Sequence, residues 1–262
     1  MVEHLKKKKK CAYCKKMGTL TKEHIFPSSI LKSFKTKMHT INDKTDYSFK
    51  GDLVVADVCA ECNNGVLSNL DASFLPYFKD QMIEPIKAGS SVTFKYEYDL
   101  LLREILKISY NSSRASVSGY EARLALEKYV PYILSGYGDV SGITLSLMIV
   151  TSANLLYPGT NKPHKVLEPY LLRSAKIDGL KIDSGKFLVR MVAFNSFWFY
   201  LLIPKSPINS KIKNKYWSEF KSKNKIHGVL LKKGFDSVEI KKDKTTYLHF
   251  DLIEKMYRPK KK

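Results

Sequence analysis

The sequence predicts an α+β protein in two parts: a small metal-stapled segment at residues 1 to about 75, and an α+β region at 76–262. Three observations carry this expectation. All four cysteines fall in the first quarter of the chain, as the pairs Cys11-Ala12-Tyr13-Cys14 and Cys59-Ala60-Glu61-Cys62. Residues 11 to about 75 hold little continuous apolar sequence, and a segment of that size needs a staple to fold. Beyond it, apolar residues recur at helical spacing or in runs of strand length. With 44% hydrophobic and 12% aromatic residues, a core can be buried.

Taken in order, the elements begin with a charge run, Lys6 to Lys10, that abuts Cys11 and reads as a basic arm. The stretch after the second cysteine pair, Val66 to Phe74, has helical character. Asp99 to Tyr110 carries apolar residues at helical spacing, with Asp99 placed as its N-cap. Tyr120 to Leu134 reads as a further helix that Pro131 kinks or ends. Ile143 to Val150 is a short strand-like run after Gly142. Phe187 to Phe194 and Phe197 to Ile203 read as two buried strands joined at Asn195-Ser196. Ser237 to Lys241 and Thr245 to Phe250 read as a hairpin turning near Lys242-Asp243, and a short helix from about Asp251 closes the chain. A second basic run, Arg258-Pro259-Lys260-Lys261-Lys262, follows. No internal repeat is visible.

Charge narrows the partner. Lys and Arg number 45 against 25 Asp and Glu, a net charge of +20, and positive excess on this scale is the electrostatic footprint of a polyanion binder. Nucleic acid comes first and an anionic membrane surface second, while a lysine-rich face also simply keeps a protein in solution. Arginine stands only at Arg103, Arg114, Arg123, Arg173, Arg190 and Arg258. Lysine, a mobile point charge, tracks a phosphate backbone better than it reads base edges; codon usage in an AT-rich genome would give the same bias. The longest apolar run, Phe197 to Ile203, has strand length, so no bilayer span is expected, and the N-terminus lacks a signal-peptide pattern. The expectation is a soluble, cytoplasmic protein. In a reducing compartment, two C-x-x-C pairs favour a metal over disulfides. Each knuckle aims two thiolates at one ion, so Cys11, Cys14, Cys59 and Cys62 together make a tetrahedral zinc site.

Between and after the knuckles lie further donors. Thr21-Lys22-Glu23-His24-Ile25-Phe26-Pro27 follows the first, and Asn63-Asn64-Gly65 directly follows Cys62. Over about residues 11–71 the chain resembles the HNH, or ββα-metal, endonucleases, and within them the zinc-containing phage resolvases of the endonuclease VII kind. In that family an acidic residue and a histidine end one strand of a hairpin, and an asparagine opens the following helix. The resemblance implies a metal-dependent endonuclease that hydrolyses phosphodiester bonds, DNA ahead of RNA, leaving 5′-phosphate and 3′-hydroxyl ends. Restriction, phage defence and DNA resolution are the settings it suggests. Residues 76–262 would then serve targeting, homodimerisation or coupling to a protein partner.

The chemistry agrees. Zinc held by four thiolates has no open position, so hydrolysis needs a second, hard cation. Glu23 and Asn63 offer the oxygens that Mg²⁺ or Mn²⁺ prefers. His24 is the expected general base, because imidazole exchanges protons near neutral pH. Asp71, eight residues beyond Asn63, is either a further ion ligand on the same helical side or a surface acid. His39 is a loop residue or a phosphate contact. The chain departs from the family in two places: Glu23 stands where aspartate is commoner, and Val66 stands three residues after Asn63, where many members have histidine. Two rivals from other classes remain, a non-catalytic zinc-ribbon nucleic-acid binder and an interaction protein with a structural zinc.

Overall fold

The computed structural model describes residues 9–34, 39–42, 47–50, 52–115, 119–156, 162–177, 180, 185–224 and 226–240. The fold is α+β. Strands β1 (Lys9–Lys10) and β2 (Met17–Gly18) flank the first knuckle and pair with each other. Strand β3 (Leu20–His24) leads to a short helix, α1 (Ser28–Leu31), then to the paired strands β4 (His39–Asn42) and β5 (Tyr47–Lys50). Strand β6 (Val54–Cys59) returns antiparallel to β3. A helical stretch follows at once: a π-helical segment, Cys62–Leu67, then α2 (Ser68–Tyr77) and a second π segment, Phe78–Met82.

Next come β7 (Val92–Lys95), the long helix α3 (Tyr98–Arg114), α4 (Tyr120–Glu127) and α5 (Val130–Ser135). Strands β8 (Thr144–Ile149), β9 (Ala153–Leu156), β10 (Pro163–Leu167), β11 (Leu172–Ile177), β12 (Phe187–Phe194) and β13 (Phe197–Pro204) precede α6 (Ser210–Lys223). Strands β14 (Val229–Leu231) and β15 (Ser237–Ile240) end the described chain. Five strands form one antiparallel sheet in the order β11-β12-β13-β8-β14.

The sheet explains why β12 and β13 are apolar throughout except at Arg190. Strand side chains alternate between faces. Leu188, Val192, Phe194, Phe197, Phe199, Leu201 and Ile203 join the core cluster that contains α3. The intervening Phe187, Val189, Met191, Ala193, Trp198, Tyr200 and Leu202 join a second cluster, with Tyr216, Trp217 and Phe220 of α6. A strand covered on both faces loses the polar alternation of a half-exposed one. The expected turn at Asn195-Ser196 is also more than a turn. Asn195 adopts a left-handed φ of 51°, donates from Nδ2 to the carbonyls of Met82 and Ile83, and accepts from Leu171 N–H.

Position 75 falls inside α2, and the first core cluster crosses it. Cys11, Tyr13, Val58 and Leu67 belong to the same cluster as Ile105, Leu106, Phe194 and Phe199. Phe26 and Phe74 both pack against the Phe194 ring, at 5.6 and 5.5 Å between centroids.

Two local expectations need correction. Asp99 is not the N-cap of α3. Glu97 holds that place without a side-chain bond, while Asp99 accepts from Tyr132 Oη at 2.7 Å and pairs with Lys233 at 2.6 Å. Pro131 does not end a helix but opens α5: the missing N–H costs nothing in a first turn. Ser237–Ile240 is the expected strand, and it pairs with Val92–Lys95, whose Phe94 is buried in the core. The expected second strand of that hairpin, the closing helix, the C-terminal basic run and residues Lys6–Lys8 lie outside the described residues. Among the described residues, no helix is long and apolar enough to cross a membrane.

Candidate functional site

The cysteines converge. The first knuckle closes through Lys15, whose φ of 63° is left-handed, with Cys11 N–H donating to the Lys16 carbonyl at 2.9 Å. Cys59 ends β6 and Cys62 opens the helical stretch. The four sulfur atoms lie within 4.8 Å of one another, and Cys14 Sγ stands 3.7 Å from Cys59 Sγ. That separation is far too long for a disulfide, whose S–S bond is about 2.05 Å. It matches the edge of a tetrahedron with metal–sulfur bonds of about 2.3 Å, which is about 3.8 Å. Cys59 N–H donates to Cys11 Sγ at 3.3 Å.

The thiol electrostatics fit the same use. Burial opposes ionisation of Cys11, but N–H groups of Cys59, Cys14 and Tyr13 outweigh it and bring that thiol down to about 7. Burial and the crowding of the other sulfurs push Cys62 the opposite way. A cation between the sulfurs removes that conflict. The cluster could hold a metal such as zinc.

Pairing of β3 with β6 sets the next group. The register shifts between Thr21 and Glu23, and an irregularity of that kind re-aims side chains. Glu23 points inward, at 5% exposure. His24 points outward; its side chain is 36% exposed, with Nδ1 3.7 Å from Asp52 Oδ2. Asn63 reaches across to the same strand. Its Nδ2 donates to Thr21 Oγ1 and to the Lys22 carbonyl, both at 2.8 Å, and Thr21 Oγ1 donates to the Val58 carbonyl at 2.9 Å. Asn63 is thus a strap over β3 just before Glu23, and Oδ1 is the atom it has left to ligate an ion. Among the described residues no hydrogen bond joins Asn63 to Glu23.

Glu23 and Asp71 meet instead at a residue that sequence reasoning missed. Lys107 of α3, with no exposure, lies 3.4 Å from Glu23 Oε1 and 3.6 Å from Glu104 Oε1. It also forms a close ion pair with Asp71. Three carboxylates therefore share one ammonium. Burial favours the neutral amine, but Glu104, Asp71 and Glu23 outweigh it and hold Lys107 protonated, above the usual lysine range. Burial raises Glu23 as well, against the pull of Lys107. Glu104, fully buried, is pushed up to about 8: burial leads, Lys107 opposes, and Asp71 and Glu23 add to the rise. Asp71 is accordingly no surface acid.

The same face of α3 continues toward the knuckle. Asn111 Nδ2 donates to the His24 carbonyl at 3.0 Å, and its Oδ1 accepts from Tyr13 Oη at 2.6 Å. Arg114 pairs with Asp57 at 3.1 Å and lies over the Tyr13 and Tyr110 rings, 5.0 and 4.2 Å from their centroids. Glu104, Lys107, Asn111 and Arg114 are spaced by three, four and three residues, so they line one side of a helix. That spacing was readable as a polar stripe on an otherwise apolar helix. Its partners were not.

Lys9, Lys10, Lys16 and Lys22 are exposed around the knuckle and β3, and exposed Lys15 is paired with Glu127. The side chain of His39 lies outside the described residues. Compared with known proteins, the chain matches no family model, no curated protein and no solved structure.

Proposed function

We propose that the chain is a metal-dependent nuclease of the ββα-metal (HNH) kind, hydrolysing phosphodiester bonds of nucleic acid, DNA ahead of RNA. One observation carries this reading. The strand bearing Glu23 and His24 is fastened by Asn63 to the helix that the cysteine cluster begins, so acid, imidazole and cluster form one unit. Zinc bound by four thiolates would be structural, since it has no open position.

Glu23, with Asn63 Oδ1 and Asp71 as further oxygen donors, would hold Mg²⁺ or Mn²⁺. Such an ion supplies charge stabilisation at a phosphate. His24, half-exposed and with Nδ1 toward Asp52, presents Nε2 to take a proton from water. The exposed lysines beside β3 bind flanking phosphates.

The test is incubation of purified protein with plasmid, single-stranded DNA and RNA, with Mg²⁺ or Mn²⁺ against EDTA. Metal-dependent cleavage with 5′-phosphate ends is expected. Binding without cleavage under every metal condition supports a second reading, a non-catalytic zinc-ribbon binder, which one observation favours: Lys107 already pairs with both Glu23 and Asp71.

Binding itself should be chiefly electrostatic, given the net charge of +20. The logarithm of affinity for a duplex should fall with the logarithm of salt, by about 0.9 per phosphate contact. Deleting Met1–Lys8 should flatten that slope while sparing β1 and the knuckle. A salt-independent affinity would point to an interaction protein instead.

A further inference from the structure

Neither Glu23 nor His24 is held by the cysteine-bearing segment alone. Both are tied to α3, far along the chain. Lys107 grips the Glu23 carboxylate. One turn on, Asn111 donates to the His24 carbonyl across 87 residues of sequence. Neighbouring strand residues point to opposite faces, so no single support can fix both. Here the inward side chain is held by charge and the backbone of the outward residue by an amide. Asn111 is itself braced, since Oδ1 accepts from Tyr13 Oη, between the knuckle cysteines, and from Arg114 Nη2 at 3.1 Å.

We infer that Lys107 and Asn111 are positioning residues for the Glu23-His24 pair, so that α3 and the cysteine cluster together set the geometry of the site. The inference rests on the nuclease reading. Stability alone is a poor reason for these residues. Burying polar and charged groups is costly, and a buried ion pair replaced by well-packed apolar residues is often as stable or more so. The neighbours Ile105, Leu106 and Ile108 show what α3 buries when only packing is at stake.

Lys107 restrains Glu23 chiefly by charge, at 3.4 Å from Oε1. Lys107 and Asn111 have no exposure, so neither can touch nucleic acid. Their loss should appear in turnover and not in substrate affinity.

The experiment uses the full chain and two changes. Glu104→Gln with Lys107→Met removes the ammonium together with the charge of its fully buried neighbour, leaving Glu23 and Asp71 without their shared cation. Asn111→Asp keeps the acceptor for Tyr13 and Arg114 but loses the donor to His24. Cleavage of a single-stranded oligonucleotide gives kcat and KM, and depletion of the free Mn²⁺ signal in electron paramagnetic resonance gives metal affinity without turnover. Leu201→Ala, in the sheet, supplies a destabilised control that leaves the site intact.

A misplacement of about 1 Å costs about 100-fold, so kcat should fall by about that factor in both variants. KM and zinc content should hold, and the control should keep its kcat. The double variant should bind Mn²⁺ at least as tightly as wild type, because a competing positive charge is gone. Wild-type turnover in both variants overturns the inference, as does a raised KM with kcat unchanged. If the double variant fails to fold, Asn111→Asp decides alone. A wild type that neither cleaves nor takes up Mn²⁺ overturns the nuclease reading itself, and this inference with it.

Discussion

Cys59→Ser is expected to yield a chain without bound zinc and without a cooperative thermal transition anywhere in the molecule. Structural zinc contributes about 10–16 kcal/mol of apparent folding free energy in small zinc peptides. A typical domain has only about 5–15 kcal/mol of net stability in total. The loss would be local if the cysteine-bearing segment folded by itself. It is not packed that way: Cys11, Tyr13 and Val58 share one apolar cluster with α3 and with Phe194 and Phe199 of the sheet. Trp198 and Trp217 sit on the far face of that sheet, so their fluorescence reports on the part remote from the metal. Native-like tryptophan emission with an ordinary melting transition in the zinc-free variant would refute the shared-core prediction. Zinc-free wild type that is fully folded would refute the metal site altogether.

The second large effect concerns His24. His24→Ala should lose hydrolysis by about 10²–10⁴-fold, the usual worth of general-base catalysis, while zinc content, folding and nucleic-acid affinity survive. The structure supplies the reason for that separation. The bond from Asn111 goes to the His24 carbonyl, which alanine retains, and the imidazole is half-exposed, so its removal opens no cavity. Glu23→Ala should behave differently. It removes a buried carboxylate from the Lys107 cluster, so both metal affinity and stability should drop, and excess Mn²⁺ should restore activity only in part. Assays of His24→Ala and wild type with matched metal decide the matter: equal rates would exclude His24 as the base.

Some features were legible along the chain because they depend on short spacing or on one residue's chemistry. Two C-x-x-C pairs specify a four-thiol cluster wherever the chain can bring them together, and it does. The run from Phe187 to Ile203 announces buried strands by composition, and the period of two then sorts its side chains onto two faces without further instruction. The α+β class follows from such runs. Pro131 was visible as a break, but whether it ends one helix or begins the next depends on which side can do without its N–H.

What only the tertiary structure decided is the set of partners. The same local pattern that marks Ser237–Ile240 as a strand cannot say that it pairs with Val92–Lys95, because backbone N–H and C=O groups are alike in every strand and the choice falls to burial of Phe94. Asp71 reads along the chain as either an ion ligand or a surface acid, and nothing in the sequence marks Glu104 or Lys107 as its partners. Folding puts them with Glu23 around one buried ammonium, and there their meaning changes. In water a charge is solvated whatever its neighbours. Inside the core it must be answered by a specific opposite group, and Lys107 finds Asp71 across 36 residues of sequence.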